Sequence, residues 1–155
     1  MSKSLNSISS IATVYRDVLS GGTVARLAHR QLLVVDSNVD TLELFKVAFQ
    51  GEGAIVVTVT SASEALTTLH QRPFHGLLSE LVLPDLSGWD FLRRVRSQTA
   101  LKQELIPAIA VTGLVTQTTE QDIQVAGYAG YFPKPVELDE LIAAMAVLTD
   151  LDVTH

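Results

Sequence analysis

The sequence predicts an α/β fold, in which a parallel sheet is covered by helices on both faces. Three observations carry that expectation. Five short apolar runs, four of them built on Val, Ile or Leu, are spread along the chain from Gln31 onward. Between them lie stretches whose apolar residues recur at helical spacing. The third is that polar residues stand where several of the apolar runs stop.

Leu32 to Val35 is a continuous apolar run that ends at Asp36, as expected of a strand buried on both faces. Val39, Leu42, Phe45 and Phe49 then follow a helical stripe, with Asn38 as its N-cap and Gly51 and Gly53 as its stop. Ile55 to Val59 reads as the second strand. Ala62, Ala65, Leu66 and Leu69 mark the second helix, which must end before Pro73. Gly76 to Ser79 is the third strand, followed by a turn at Leu83-Pro84-Asp85-Leu86-Ser87-Gly88 and a helix burying Phe91, Leu92 and Val95. The fourth strand is Ala108 to Val111. The fourth helix carries the weakest stripe, Ile123 and Ala126, with Thr118 and Gln121 spaced as a capping box. Tyr131 and Phe132 form the fifth strand, and Leu138, Leu141, Ile142, Met145 and Leu148 line the fifth helix.

Five strand–helix units need right-handed crossovers. The architecture this predicts is a doubly wound, flavodoxin-like sheet of order 2-1-3-4-5, whose ligand crevice lies at the carboxyl ends of the strands. Residues 31–150 are expected to form that domain. Residues 1–30 stand apart as an N-terminal helical extension: Leu5, Ile8, Ile11, Ala12, Tyr15, Val18 and Leu19 share one helical face, and Gly21-Gly22 ends it.

Composition narrows the function. The chain has 155 residues, 47% hydrophobic and 18% charged, enough for one packed domain. With no cysteine, disulfides and thiolate metal sites are excluded. A net charge of −6 argues against nucleic-acid binding, and the basic residues Arg26, His29, Arg30, Arg93, Arg94 and Arg96 are expected to be solvated faces. No apolar run reaches the roughly 20 residues of a membrane span, and Met1 to Ser10 has no apolar h-region, so a cytoplasmic protein is expected. The four histidines, His29, His70, His75 and His155, share no metal-ligand spacing and are expected at the surface.

At the strand ends stand Asp36 and Ser37, then Glu80, then Thr112, then Lys134-Pro135. Two carboxylates, a hydroxyl and an ammonium converging at a sheet edge can be an anion or metal site, or a satisfied salt-bridge cluster. Here the chain resembles a known family. Val34-Val35-Asp36, Leu83-Pro84-Asp85-Leu86-Ser87-Gly88, Ala110-Val111-Thr112-Gly113 and Gly130-Tyr131-Phe132-Pro133-Lys134-Pro135 look like the successive motifs of response-regulator receiver domains of two-component signalling, over about residues 31–148.

The resemblance implies a phosphorylation pocket. An acidic pair after the first strand would hold Mg²⁺, and an aspartate after the third strand would accept the phosphoryl group. Here the pair is Asp36 and Ser37, and the acceptor position, four residues before Pro84, is Glu80. The resemblance makes the backbone carbonyl of Val82 the third metal ligand, Thr112 the hydroxyl on the phosphoryl group, Lys134 the conserved-type lysine and Tyr131 the switch aromatic of an output face. Both departures weaken the site. A serine hydroxyl is a poor substitute for a carboxylate on Mg²⁺, so Asp36 and Val82 would bind it weakly if at all, and no other cofactor is implied. The pocket carries one net negative charge where three acids and a lysine would carry two. Glu80 places its carboxylate roughly 1.5 Å beyond an aspartate's, and in-line transfer loses on the order of 100-fold for such a shift. Glu80 either pairs with Lys134 and closes the site or partly mimics the phosphorylated state, and the available lysine favours the pair. Asp85 reads as a turn residue and Trp89 as packing at the rim.

The expected function is therefore that of a stand-alone degenerate receiver acting as a signalling adaptor through protein–protein contacts, without catalysis. Its partner would be another signalling protein, such as a histidine kinase or an effector. A homodimer would use the face of helix four, strand five and helix five, or the N-terminal helix. The alternatives are a working phospho-receiver of a phosphorelay and a small-molecule sensor reusing the pocket. Hydrolysis is the most distant, since Glu80, Thr112 and Lys134 lack a nucleophile paired with a base.

Overall fold

The computed structural model describes residues 25–98, 105–113 and 119–150. The N-terminal helix expected over Leu5 to Leu19 and the capping box expected at Thr118 lie outside the described residues. Five parallel strands, β1 (Gln31–Val35), β2 (Ile55–Val59), β3 (Gly76–Glu80), β4 (Ala108–Thr112) and β5 (Gly130–Pro133), form one sheet of order β2-β1-β3-β4-β5. This is the flavodoxin-like order the alternating pattern predicts. The connecting helices are α1 (Val39–Gln50), α2 (Ala62–Gln71), α3 (Gly88–Ser97) and α4 (Thr119–Ala126), and α5 (Leu138–Leu148) follows β5.

Alternation along each strand sorts the core into two layers. Leu33, Val35, Leu77, Ala108 and Ala110 face one side, where α2, α3 and α4 bury Leu69, Phe91, Leu92 and Ile123. Leu32, Val34, Leu78, Ile109 and Val111 face the other, where α1 and α5 bury Leu42, Phe45, Phe49 and Met145. The three central strands β1, β3 and β4 are buried almost throughout, which explains why their sequences are unbroken apolar runs. The edge strand β2 stays partly open, and Ile55 at its start is exposed.

Local signals place the helix ends. The Asn38 side chain accepts from the Thr41 amide, and Ser61 and Ser87 do the same for Glu64 and Asp90. Gly51 keeps right-handed helical angles. The left-handed residue that turns the chain into β2 is Gly53, at φ 89°. Val39, expected on the buried stripe, is 69% exposed because it sits in the first turn, beyond the reach of the core.

Residues 25–30 belong to the packed unit. The Leu27 amide donates to Glu52 O at 2.9 Å and the Ile55 amide to Arg30 O at 2.8 Å, so this turn is stitched to the start of β2. Leu27 is fully buried in the α1–α5 layer. Leu27→Ala is expected to cost about 2–5 kcal/mol in urea unfolding, through lost burial and the cavity left behind.

The arginines correct the sequence reading. Arg26 is not solvated: it pairs with Glu52 at 3.1 Å and reaches Asp139 at 3.3 Å. Arg30 donates to Thr149 O at 3.1 Å, and the half-buried Arg96 donates to the carbonyls of Ile106 and Gly127. Each guanidinium has its donors on fixed acceptors, a role that sequence spacing does not reveal. Arg93 does match its solvated reading, being exposed beside Asp90. Among the histidines, His75 departs from a surface role, since its Nδ1 accepts from the Gln31 amide at 2.8 Å.

Candidate functional site

The strand ends bring Asp36, Glu80, Thr112 and Lys134 to one edge of the sheet. Parallel pairing sets their relative heights, with Val35 opposite Ser79 and Glu80 opposite Val111. The Lys134 amide donates to Thr112 O at 2.9 Å, fixing the chain beyond β5 against the end of β4. The Lys134–Pro135 peptide is cis.

Lys134 Nζ lies 2.9 Å from Asp36 Oδ2 and 2.8 Å from Glu80 Oε1. Both carboxylates are buried, at 3% and 8% exposure, so the ammonium is what makes their charges tolerable. Burial works against the lysine's charge, but hydrogen bonds to Glu80 and Asp36 and their attraction outweigh it. Lys134 accordingly titrates above the ordinary lysine range.

The second oxygen of each acid is also engaged. Asp36 Oδ1 accepts from the Asn38 amide at 2.9 Å. Glu80 Oε2 accepts from the amides of Leu81 and Val82 at 2.7 and 3.2 Å, so its side chain curls back onto its own loop. Gly88 makes that loop conformation achievable. A Cβ there would stand 2.6 Å from Glu80 O and 2.8 Å from the Leu81 Cα, and the Gly88 amide donates to Leu81 O. The close backbone approach requires glycine.

The remaining members are less central. Thr112 is fully buried at the end of β4, whereas Ser37 faces solvent. Tyr131 is half-buried against the core, and its hydroxyl donates to Glu120; burial first, then that carboxylate, push its pKa up. Trp89 packs against the same core layer, as expected of a rim residue.

These donors do not fit a divalent cation as arranged. Mg²⁺ asks for several hard oxygens in octahedral array. All four carboxylate oxygens of Asp36 and Glu80 already face an ammonium or an amide hydrogen, and Ser37 adds only a hydroxyl.

Sequence reasoning missed two residues that shape the site. Asp85 read as a turn residue, but its carboxylate oxygens accept from the amides of Ala62 and Ser63 at 3.0 and 2.8 Å, closing the N-terminus of α2 from another loop. Burial opposes its charge, yet the bonds from Ser63 and Ala62 prevail and hold its carboxyl below the usual range. Tyr128 is the other. It is buried and donates to Gly88 O at 2.8 Å, tying the start of β5 to the loop below Glu80. A buried tyrosine ahead of a strand gives no such signal, since the partner is 40 residues away. Asp85→Ala is expected to destabilise the fold by about 1 kcal/mol at neutral pH in urea titrations. Because the folded carboxyl titrates low, the difference from wild type should persist above the ordinary aspartate range. It should vanish as pH falls through the depressed value.

A groove of about 390 Å³ lies beside this cluster between α2 and α3, lined by Leu66, His70, Leu86, Arg94 and Gln98 among others. It opens on the helical flank and does not reach Lys134. None of the helices among the described residues is long and apolar enough to cross a membrane.

Known proteins resemble this chain. A 14.6 kDa protein from the sodA1 3′ region of Leptolyngbya boryana is 36% identical over 116 residues, covering 75% of this chain and 87% of that protein. Histidine kinase 2 of Arabidopsis thaliana is 30% identical over 142 residues, covering 77% of this chain but only 12% of the kinase. Among solved structures, the chemotaxis response regulator CheY4 of Vibrio cholerae superposes with a TM-score of 0.72 at 21% identity, covering 78% of this chain and 99% of that one. The family profile of the response regulator receiver domain matches residues 32–146. With the sheet order, the strand-end cluster and that match in agreement, the chain belongs to the receiver-domain family of two-component signalling.

Proposed function

We propose that this chain is a receiver-type adaptor that works by binding other signalling proteins and does not depend on phosphorylation. The observation that supports this reading best is the state of Glu80. One of its oxygens is held by Lys134, and the other by two amides of the following loop. A carboxylate so occupied is a poor nucleophile, and the amides that could receive an incoming anion already serve it. In this reading Asp36, Ser37, Glu80, Thr112 and Lys134 form a degenerate phosphorylation pocket held closed by its own ion pairs. The chain catalyses no reaction and works in the cytoplasm, and its partner is a histidine kinase or a downstream effector.

The test is capture of native-cell proteins on the immobilised full chain, with and without acetyl phosphate and Mg²⁺. The same partners should be retained to within about twofold, since no differential contact is created for a ligand to exploit. Partners that appear only with the phosphodonor would overturn the reading in favour of a working phosphorelay receiver.

A further inference from the structure

We propose that two copies of this chain join edge to edge through β2, antiparallel about Val57, so that the two sheets become one. The sheet order gives β2 a neighbour on one side only: β1 pairs with it throughout, and no described element lies beyond it. In a parallel pair, alternate residues turn both backbone groups toward the same neighbour. The Ile55 amide donates to Arg30 O at 2.8 Å, and Val59 O accepts from the Asp36 amide at 3.2 Å. Ile55, Val57 and Val59 are therefore the residues whose backbone faces β1. Val56 and Thr58 turn their N–H and C=O groups outward, and none of these four groups bonds to a described residue.

Nothing in this strand deters a partner. Sheet edges are ordinarily protected by a lysine, a proline or a bulge. Residues 53–63 contain no charged residue and no proline, and β2 pairs with β1 through five consecutive residues without a bulge. Every residue of β2 is β-branched, which holds the backbone extended. Val56, Val57 and Thr58 are only half-buried, and Ile55 is 48% exposed.

A second copy is the occupant these groups select, because the outward edge of β2 is complementary to itself. With a two-fold axis through Val57, Val56 stands opposite Thr58 of the second copy, and Thr58 opposite Val56 of the second copy. Each such pair exchanges an N–H to O bond in both directions, so every outward group of both strands is satisfied. Other registers lose this match. A shift of one residue sets the outward groups against residues that face β1. A shift of two brings in Ala54 or Thr60, whose amides already serve Phe49 O and Glu64 Oε1. The same axis sets Ile55 opposite Val59 of the second copy, on the sheet face that carries Val57, and covers the exposed isoleucine. A contact of this symmetry closes on itself and stops at a dimer. It uses neither the Lys134 cluster nor the face of α4, β5 and α5, so it stands independently of the adaptor reading.

The test is made on the full-length protein. Sedimentation should show a dimer at concentrations on the order of 100 µM that dissociates on dilution. Thr58→Pro removes one outward N–H from each copy and none that β1 uses, so it should weaken association about 25-fold, two bonds at about fivefold each. Should that variant fail to fold, Val56→Lys/Thr58→Lys takes its place, since it sets like charges directly opposite across the axis. The chain has no native cysteine, so a single thiol reports the register. At the axis Val57 faces its own copy in the close, non-hydrogen-bonded pair, with Cα atoms about 4.5 Å apart and within reach of a disulfide. Val57→Cys should form interchain disulfides under mild oxidation at least about 10-fold faster than Val125→Cys, a thiol on α4 where Val125 is 70% exposed. Equal rates for the two thiols would overturn the proposal. So would a dimer that survives Thr58→Pro in a folded protein, which would place the contact on another face. A chain that stays monomeric at that concentration would overturn it as well, and slow hydrogen exchange at the Val56 and Thr58 amides of such a monomer would assign the edge to another part of the chain.

Discussion

Replacing Ser37 and Glu80 together by aspartate is expected to turn a chain that acetyl phosphate leaves unmodified into one that accepts a phosphoryl group. Wild type and Ser37→Asp/Glu80→Asp would be incubated with acetyl phosphate and Mg²⁺ and weighed intact. The double variant should gain about 80 Da, the mass of one phosphoryl group, at position 80. The reaction balances simply: an aspartate oxygen forms a bond to phosphorus while the bond from phosphorus to the acetyl oxygen breaks, and acetate leaves with that electron pair. Two effects combine. The shorter side chain draws the carboxylate back toward β3, so its oxygen returns to the position from which in-line attack starts, a difference worth on the order of 100-fold. The second aspartate supplies the carboxylate that an exposed serine cannot, and with it the charge that attracts a divalent cation. Labelling of wild type would sink the closed-pocket reading. An unlabelled but folded double variant would show that the pocket is blocked by something beyond these two residues.

Much of this molecule was legible in its sequence, and the reasons are specific. Strands buried on both faces must be apolar without interruption, so β1 and β4 announce themselves as Leu-Leu-Val-Val and Ala-Ile-Ala-Val. The final residues of β3, β4 and β5 were less visible. Glu80, Thr112 and Pro133 look like loop residues, yet each still pairs with its neighbour in the ladder. The site followed from the strand ends because parallel strands deliver their carboxyl termini to one edge. The pair of Lys134 with Glu80 was also foreseeable, since a lysine facing two buried acids has little alternative. What could not be read was any contact set by distance along the chain. The Asp85 cap on α2 spans 22 and 23 residues, and nothing local separates it from an ordinary turn aspartate. The same holds for Arg26 and Arg30, whose charge suggests solvent while their aliphatic stems and fixed acceptors place them against the domain. Residues 25–30 were assigned to the extension for the same reason, because Leu27 is a single apolar residue with no period around it.

Lys134→Met is expected to be the most damaging single change at the site and to be rescued by a second. It keeps the length and apolar stem of the side chain but removes the ammonium that both acids share. Asp36 and Glu80 would then face each other as buried, uncompensated charges, a situation that costs roughly 3 kcal/mol or more. Urea unfolding at pH 7 measures it directly. Adding Glu80→Gln removes one of the two stranded charges while keeping an oxygen for the Leu81 and Val82 amides, so the double variant should recover a large part of the loss. A purely steric role for Lys134 predicts no rescue, and the sum of the two single effects would then describe the double variant. The pH dependence gives a second readout. Since the folded lysine titrates above its ordinary value, its contribution is complete below the unfolded lysine range and is lost as pH rises through the raised folded value. The gap between wild type and Lys134→Met should thus hold steady through neutral pH and narrow on the alkaline side. A gap that stays constant into strong alkali would show that the charge of Lys134 is not what holds this pocket closed.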